Sequence, residues 1–111
     1  DKADNQIASF CPGAMVDPCP IEYDGTFSDS IAIVSPGNME DMKSLSDLYV
    51  KRNIPYIFDP GQQIPTLSGE ELKKCIKGAK VFISNGYELS LVSKKTGLRR
   101  KDILESVEIL V

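Results

Sequence analysis

The stretch IPYIFDPGQQIPTLSGEELKKCIKGAKVFISNGYELSLVSKKTG, residues 54–97, carries one rhythm twice: a short apolar run, a polar corner, then apolar residues spaced by three and four. IPYIF, 54–58, has no polar alternation and reads as a buried strand, closed by the turn-forming Asp59-Pro60-Gly61. Ser68 with Glu71 three residues on is a capping-box pattern, and Leu72, Cys75 and Ile76 give the helix behind it an inner face that ends at Gly78. AKVFIS, 79–84, is the next buried strand. Asn85 and Glu88 repeat the cap spacing, Leu89 and Val92 with Leu91 at the edge form the inner face, and Gly97 stops the helix.

Working outward toward the amino terminus, SIAIVS, 30–35, is a third apolar run, stopped by Pro36 and Gly37. Met39, Met42, Leu45, Leu48 and Tyr49 then predict an amphipathic helix over 39–52, with Glu40 and Asp41 at its start and Lys51 and Arg52 at its end, as the helix dipole favours. The methionines, Met15 included, read as packing residues. Toward the carboxyl terminus a short helix near 100–107 is expected, and EILV, 108–111, reads as a fourth strand just begun. Strands without polar alternation, separated by amphipathic helices, predict an α/β fold: a mostly parallel sheet covered on both faces, joined by right-handed crossovers. A partial three-layer α/β/α core over 30–111 is the expectation. Residues 1–29 are different. IASFC, 7–11, reads as a strand, and a turn-rich connection follows with a short helix around Ala14–Val16. The chain opens on polar residues and stops inside a candidate strand, so a parent longer in both directions is expected. The open sheet edge favours association with another copy or with the rest of that parent.

Composition removes several classes. At 111 residues there is enough chain for one modest core. No apolar run approaches the ~18 residues that span a bilayer, and the opening DKADNQ is not a signal peptide, so a cytoplasmic address is expected and no membrane partner. The net charge of −3 offers no basic face for nucleic acid; the clusters Lys94-Lys95 and Arg99-Arg100-Lys101 read as solvated surface. Cys11, Cys19 and Cys75 are an odd, scattered set, read as free thiols in a reducing compartment. There is no histidine for a hydrolytic triad, no Gly-x-Gly-x-x-Gly after a strand and no GxxxxGK[ST] loop.

In open parallel sheets, ligands gather beyond the carboxyl ends of the strands. Three such ends stand in this sequence: Ser35-Pro36-Gly37-Asn38, Asp59-Pro60-Gly61-Gln62-Gln63 and Ser84-Asn85-Gly86-Tyr87-Glu88. Together they would offer carboxylates, amides and helix starts, a set suited to phosphate and Mg²⁺. Spacing alone favours the plainer roles. Asn85-x-x-Glu88 caps a helix, Asp59-Pro60-Gly61 makes a turn, and so does Pro36-Gly37-Asn38.

Four stretches, DNQIASFCPGAM, IVSPGNMEDM, IPYIFDPGQQIPTLSGEEL and VFISNGYELSLVSKKTGL, resemble the ribokinase-like, or PfkB-type, carbohydrate and nucleoside kinases, above all their adenosine-kinase-like prokaryotic members. They cover most of the chain in the family's order. The resemblance implies an internal fragment of an enzyme that uses ATP and Mg²⁺ to phosphorylate a hydroxyl of a small-molecule sugar or nucleoside. The family's Asn-x-x-Glu motif, near Mg²⁺ and the ATP phosphates, matches Asn85 and Glu88. Its Asp-x-Asn-x-Arg pattern matches at Asp59 only, with Gly61 and Gln63 in place of the Asn and Arg, so a charged phosphate fork is missing. Thus Asp59, Asn85 and Glu88 are implied for the nucleotide, and Glu88 and Asp59 for the metal. The opening resembles the last strand of the family's acceptor lid, which makes residues 1–29 a lid-strand remnant and brings Asn5, Gln6 and Phe10 toward substrate. The family's Gly-Ala-Gly-Asp anion hole and its base are absent, so no catalytic residue is assigned and the chain alone is expected to be inactive. The alternative is a non-catalytic α/β binding or interaction domain. A reading frame confined to this chain would favour it.

Overall fold

The computed structural model describes residues 9, 11–19, 29–104 and 108–110. Four strands, β1 (Ala32–Val34), β2 (Tyr56–Phe58), β3 (Val81–Ile83) and β4 (Glu108–Leu110), form one sheet in the order β1-β2-β3-β4, every pair parallel. The register sets Val34 against Phe58 and Phe58 against Phe82, so one apolar row crosses three strands on the same face. The strands are shorter than the apolar runs; before β3, Ala79 already serves as the cap of the preceding helix.

The helices are α1 (Met39–Lys51), α2 (Gly69–Gly78), α3 (Gly86–Thr96) and the short α4 (Arg100–Leu104). Residues 105–107, the rest of the expected last helix, lie outside the described residues. Most of IASFC lies outside them too, and its two described members, Ser9 and Cys11, are not in a strand; a 3-10 turn does stand at Gly13–Val16. Because the strands follow one another in sequence order, α1, α2 and α3 lie side by side on one face, α1 against α2 and α2 against α3. They bury Val34, Tyr56, Phe58 and Phe82 under Met42, Leu72, Cys75, Ile76, Leu89 and Val92. The Phe58 and Phe82 rings stack with centroids 6.3 Å apart. Met39 packs at the rim of this core, whereas Met15 is not part of it. On the other face of the sheet Ile33 stays 63% exposed, and no helix covers that face among the described residues. The chain therefore shows one helical layer and the sheet of the three-layer plan.

Gly78 ends α2 for a reason its sequence position does not reveal. A Cβ there would stand 2.7 Å from both the Tyr56 hydroxyl oxygen and a Val50 methyl, so the residue is small to let β2 and α1 close on the helix end. The Tyr56 hydroxyl donates to the Cys75 carbonyl, and burial pushes its pKa up. Cys75 is a buried thiol, and Cys11 and Cys19 are exposed thiols.

Candidate functional site

At the carboxyl edge of the sheet the loops after β1, β2 and β3 stand next to one another, as parallel pairing requires. The Asp59 N–H donates to the Val34 carbonyl at 2.9 Å, which carries the β1–β2 ladder one residue past the strands and fixes where Asp59 leaves the sheet. The chain then turns through Pro60 into a 3-10 turn, Gly61–Gln63. Gly61 has φ +42°, and a Cβ on it would stand 2.6 Å from Cγ of Pro36. The loops after β1 and β2 meet there without room for a side chain. The Gly61 N–H stands close enough to the Asp59 carboxyl to favour its ionised form.

Behind β3, Asn85 is the N-cap of α3. Its Oδ1 accepts from the Glu88 N–H and the Asn85 N–H donates to Glu88 Oε2, both at 2.9 Å. Two of the four orphan donors at the helix start are thus met by the motif itself, which is the plainer role read from its spacing. The tertiary setting adds to it. The Asp59 carboxyl is pushed above the usual carboxylate range, first by burial and then by the negative charge of Glu88, while the Gly61 N–H pulls the other way. The two carboxylates are therefore electrostatic neighbours, and among the described residues no lysine or arginine pairs with either. Ser84, just before Asn85, is 2% exposed, and its hydroxyl has no partner among the described residues.

A carboxyl raised by burial and by the negative charge of a second carboxylate, beside a helix N-terminus, suits a divalent cation that keeps much of its water and also holds phosphate oxygens. The donor set fits Mg²⁺ on that ground. It does not make a closed protein cage, since no group of three or more Asp, Glu, Cys or His converges among the described residues.

Other strand-end residues are spent on structure. Gln63, in the place of the family's arginine, donates from Nε2 to the Gly37 carbonyl at 2.9 Å and accepts at Oε1 from the Thr66 hydroxyl at 2.9 Å, so its amide ties the two loops. Asn38 caps α1 by accepting from the Glu40 and Asp41 N–H groups, and its Nδ2 donates to the Met15 and Val16 carbonyls, anchoring the 3-10 turn Gly13–Val16 over the helix start. That tether was missed in the sequence, where Pro36-Gly37-Asn38 read as a turn; the cap signal was there, the long-range partner was not. Asn5, Gln6 and Phe10 lie outside the described residues. Lys94 and Lys95 are both exposed, as read, but the Lys95 ammonium also donates to the carbonyls of Ile64, Pro65 and Leu67 at 2.9, 2.7 and 2.6 Å. A groove of about 380 Å³ between the carboxyl-terminal halves of α1 and α2, floored by Val50 and Tyr56, opens at the other end of the sheet and does not reach the carboxylate pair.

A parallel α/β sheet with its polar groups collected at the carboxyl edge defines the class: the open α/β proteins that take ligands at that edge. No protein-family model matches the chain. Among solved structures it is similar to a nucleoside kinase of Burkholderia thailandensis. In that protein's complex with ADP-inosine, the match has 33% identity and TM-score 0.70 over 74% of this chain and 26% of the kinase. In its ligand-free form it has 31% identity and TM-score 0.71 over 95% of this chain and 35% of the kinase. It is also similar to the nucleoside kinase of Methanocaldococcus jannaschii, described as an archaeal member of the ribokinase family, at 25% identity and TM-score 0.72 over 96% of this chain and 35% of that one. The chain thus has the fold of the ribokinase-like nucleoside kinases over the span it shares with them, and it spans about a third of their length or less.

Proposed function

We propose that the chain is part of an ATP-dependent kinase that transfers the γ-phosphoryl group to a hydroxyl of a nucleoside or sugar. In this reading residues 30–111 are a portion of the kinase core, and residues 1–29 are a lid strand with its connection. Asp59 and Glu88 hold Mg²⁺, directly or through water, and Asn85 keeps the α3 N-terminus open toward the phosphates. Asn5, Gln6 and Phe10 approach the acceptor. The observation that carries the reading is the placing of Asp59 and Glu88 beyond the carboxyl ends of two adjacent parallel strands, without a basic partner in the described residues. The similar proteins add support, since one of them is a nucleoside kinase solved with ADP-inosine.

Phosphoryl transfer asks the protein to hold phosphates and acceptor in line and to offset growing negative charge. When bound, the metal supplies that countercharge. The chain's own residues fix where it sits: the β1–β2 ladder sets Asp59, the cap sets Glu88, and the α3 dipole favours negative charge beside them. Among the described residues no helix is long and apolar enough to cross a membrane.

The test is ATP turnover by the longer protein in which we place this chain, with Mg²⁺ and a panel of nucleosides, pentoses and hexoses. Acceptor-dependent ADP formation with at least one nucleoside or sugar is the expected result, and none from residues 1–111 alone, since the anion-hole loop and base have no counterpart in the sequence. Transfer to no member of the panel would overturn the kinase reading.

A further inference from the structure

Lys95 sits in the last turn of α3, and Asn85 caps the first. Its ammonium donates to three carbonyls of one short segment, those of Ile64, Pro65 and Leu67, which lead from the 3-10 turn Gly61–Gln63 to the Ser68 cap of α2. A lysine ammonium has three protons, and all three are used here on a single strip of backbone. The backbone of the same residue also meets α2. A Cβ on Gly69, the first residue of that helix, would lie 2.1 Å from the Lys95 carbonyl oxygen, so only glycine lets α2 start where it does. Lys94, exposed as Lys95 is, has no such hydrogen bonds among the described residues.

The segment that Lys95 grips continues back to the site. Leu67 and Thr66 N–H groups donate to the Gln63 carbonyl, Gln63 ties across to Gly37, and Asp59 begins the same loop. One helix therefore holds both halves of the carboxylate pair. Its amino end carries Glu88, and its carboxyl end grips the loop that starts at Asp59. We infer that Lys95 is a positioning residue: its three-carbonyl grip braces the loop after β2 against α3 and so fixes where Asp59 stands relative to Glu88. The grip is local and electrostatic, and water reaches part of it, so removing the ammonium should free the loop rather than unfold the core.

The role assigned to the pair rests on the kinase reading above, so the experiment has two arms in the longer protein. Lys95→Met keeps the stem and removes the donors; Lys95→Arg keeps charge and donors in a different geometry; Lys94→Met is the control. In hydrogen exchange, Lys95→Met is expected to speed exchange of the 61–67 amides about tenfold while α1 is unchanged, a local opening and not a global one. In kinetics it is expected to raise KM for Mg·ATP about three- to tenfold with KM for the acceptor unchanged, because only the nucleotide side is displaced. Lys95→Arg should fall between, and Lys94→Met should match the parent in both arms. Unchanged exchange in 61–67 overturns the brace. Faster exchange with an unchanged Mg·ATP KM overturns the positioning role, because the grip is then only structural. If Lys95→Met does not fold, Lys95→Arg decides, and parental values for it in both arms overturn the need for the three-carbonyl geometry. A parent that turns over no acceptor sinks the kinase reading, and the exchange arm still decides whether the brace exists.

Discussion

The chain contains the same local device twice, and the two copies differ in what faces them. Ser68 and Glu71 cap α2, and Asn85 and Glu88 cap α3, each with both hydrogen bonds of a capping box. Beyond the cap the environments diverge. Glu71 uses Oε2 for the Ser68 N–H and places Oε1 3.2 Å from the Lys43 ammonium on α1, and the backbone bond, the Ser68 hydroxyl and that lysine pull its pKa down to about 2. Glu88 uses Oε2 in the same way but faces the half-buried carboxyl of Asp59. One box is electrostatically closed and reads as structure. The other leaves the charge of Glu88 acting on a half-buried carboxyl of the same sign, an arrangement that a fold keeps at some cost in stability and that a bound cation relieves.

The largest contrast should come from neutralising each glutamate in the longer protein. Glu88→Gln is expected to lower turnover on the order of 10²-fold, the scale of losing one preorganised group at developing charge, with little change in Tm, because the amide oxygen still caps. Glu71→Gln should leave turnover within about twofold, since it stands outside the phosphate environment. Steady-state kinetics at limiting and saturating Mg²⁺ separates them, and equal losses at the two positions would erase the distinction drawn here.

A smaller effect sharpens what the boxes share. Ser68→Ala and Asn85→Ala each remove the side-chain acceptor of a first-turn N–H, and each should cost about 1 kcal/mol in chemical denaturation. Only Asn85→Ala should also impair nucleotide binding. A cost at Ser68 and none at Asn85 would mean that the α3 cap is not maintained in solution.

The smallest effects are those of pH, and their signs are opposite. Glu71 has a depressed pKa in the folded chain, so its contribution is present above the ordinary glutamate range near 4.5 and is lost as pH falls toward about 2. Glu71→Gln should flatten that acid limb. Asp59 has a raised pKa, so its ionised form disfavours the fold, and that penalty grows as pH rises through the ordinary carboxylate range and past it. Asp59→Asn keeps an acceptor for the Gly61 N–H and should raise Tm slightly at pH 7 while lowering activity. Thermal melts at pH 3 and pH 7 check both, and a fall in Tm for Asp59→Asn at pH 7 would show that the pair is not strained.

Much of this molecule was legible in the sequence because the signals are local. Helix caps join residues three apart, inner faces repeat every three or four residues, and buried parallel strands lack polar alternation, so α1, α2, α3 and the inner faces of α2 and α3 could be read directly, whereas in α1 the buried Ser46 was missed and Leu48 does not join the core. The Asn85–Glu88 box belongs to the same kind. What it faces does not. Glu88 acts on Asp59 only because β2 and β3 pair in parallel register, and Glu71 finds Lys43 only because α1 lies against α2. Lys95 belongs here as well: its exposure was legible, but its carbonyl partners at 64, 65 and 67 were not, because they lie about thirty residues away in sequence. The sequence determined which hydrogen bonds close within a turn of chain. Tertiary structure decided which charges are neighbours, because Coulomb interaction depends on distance through space, and the packing of strands and helices sets that distance.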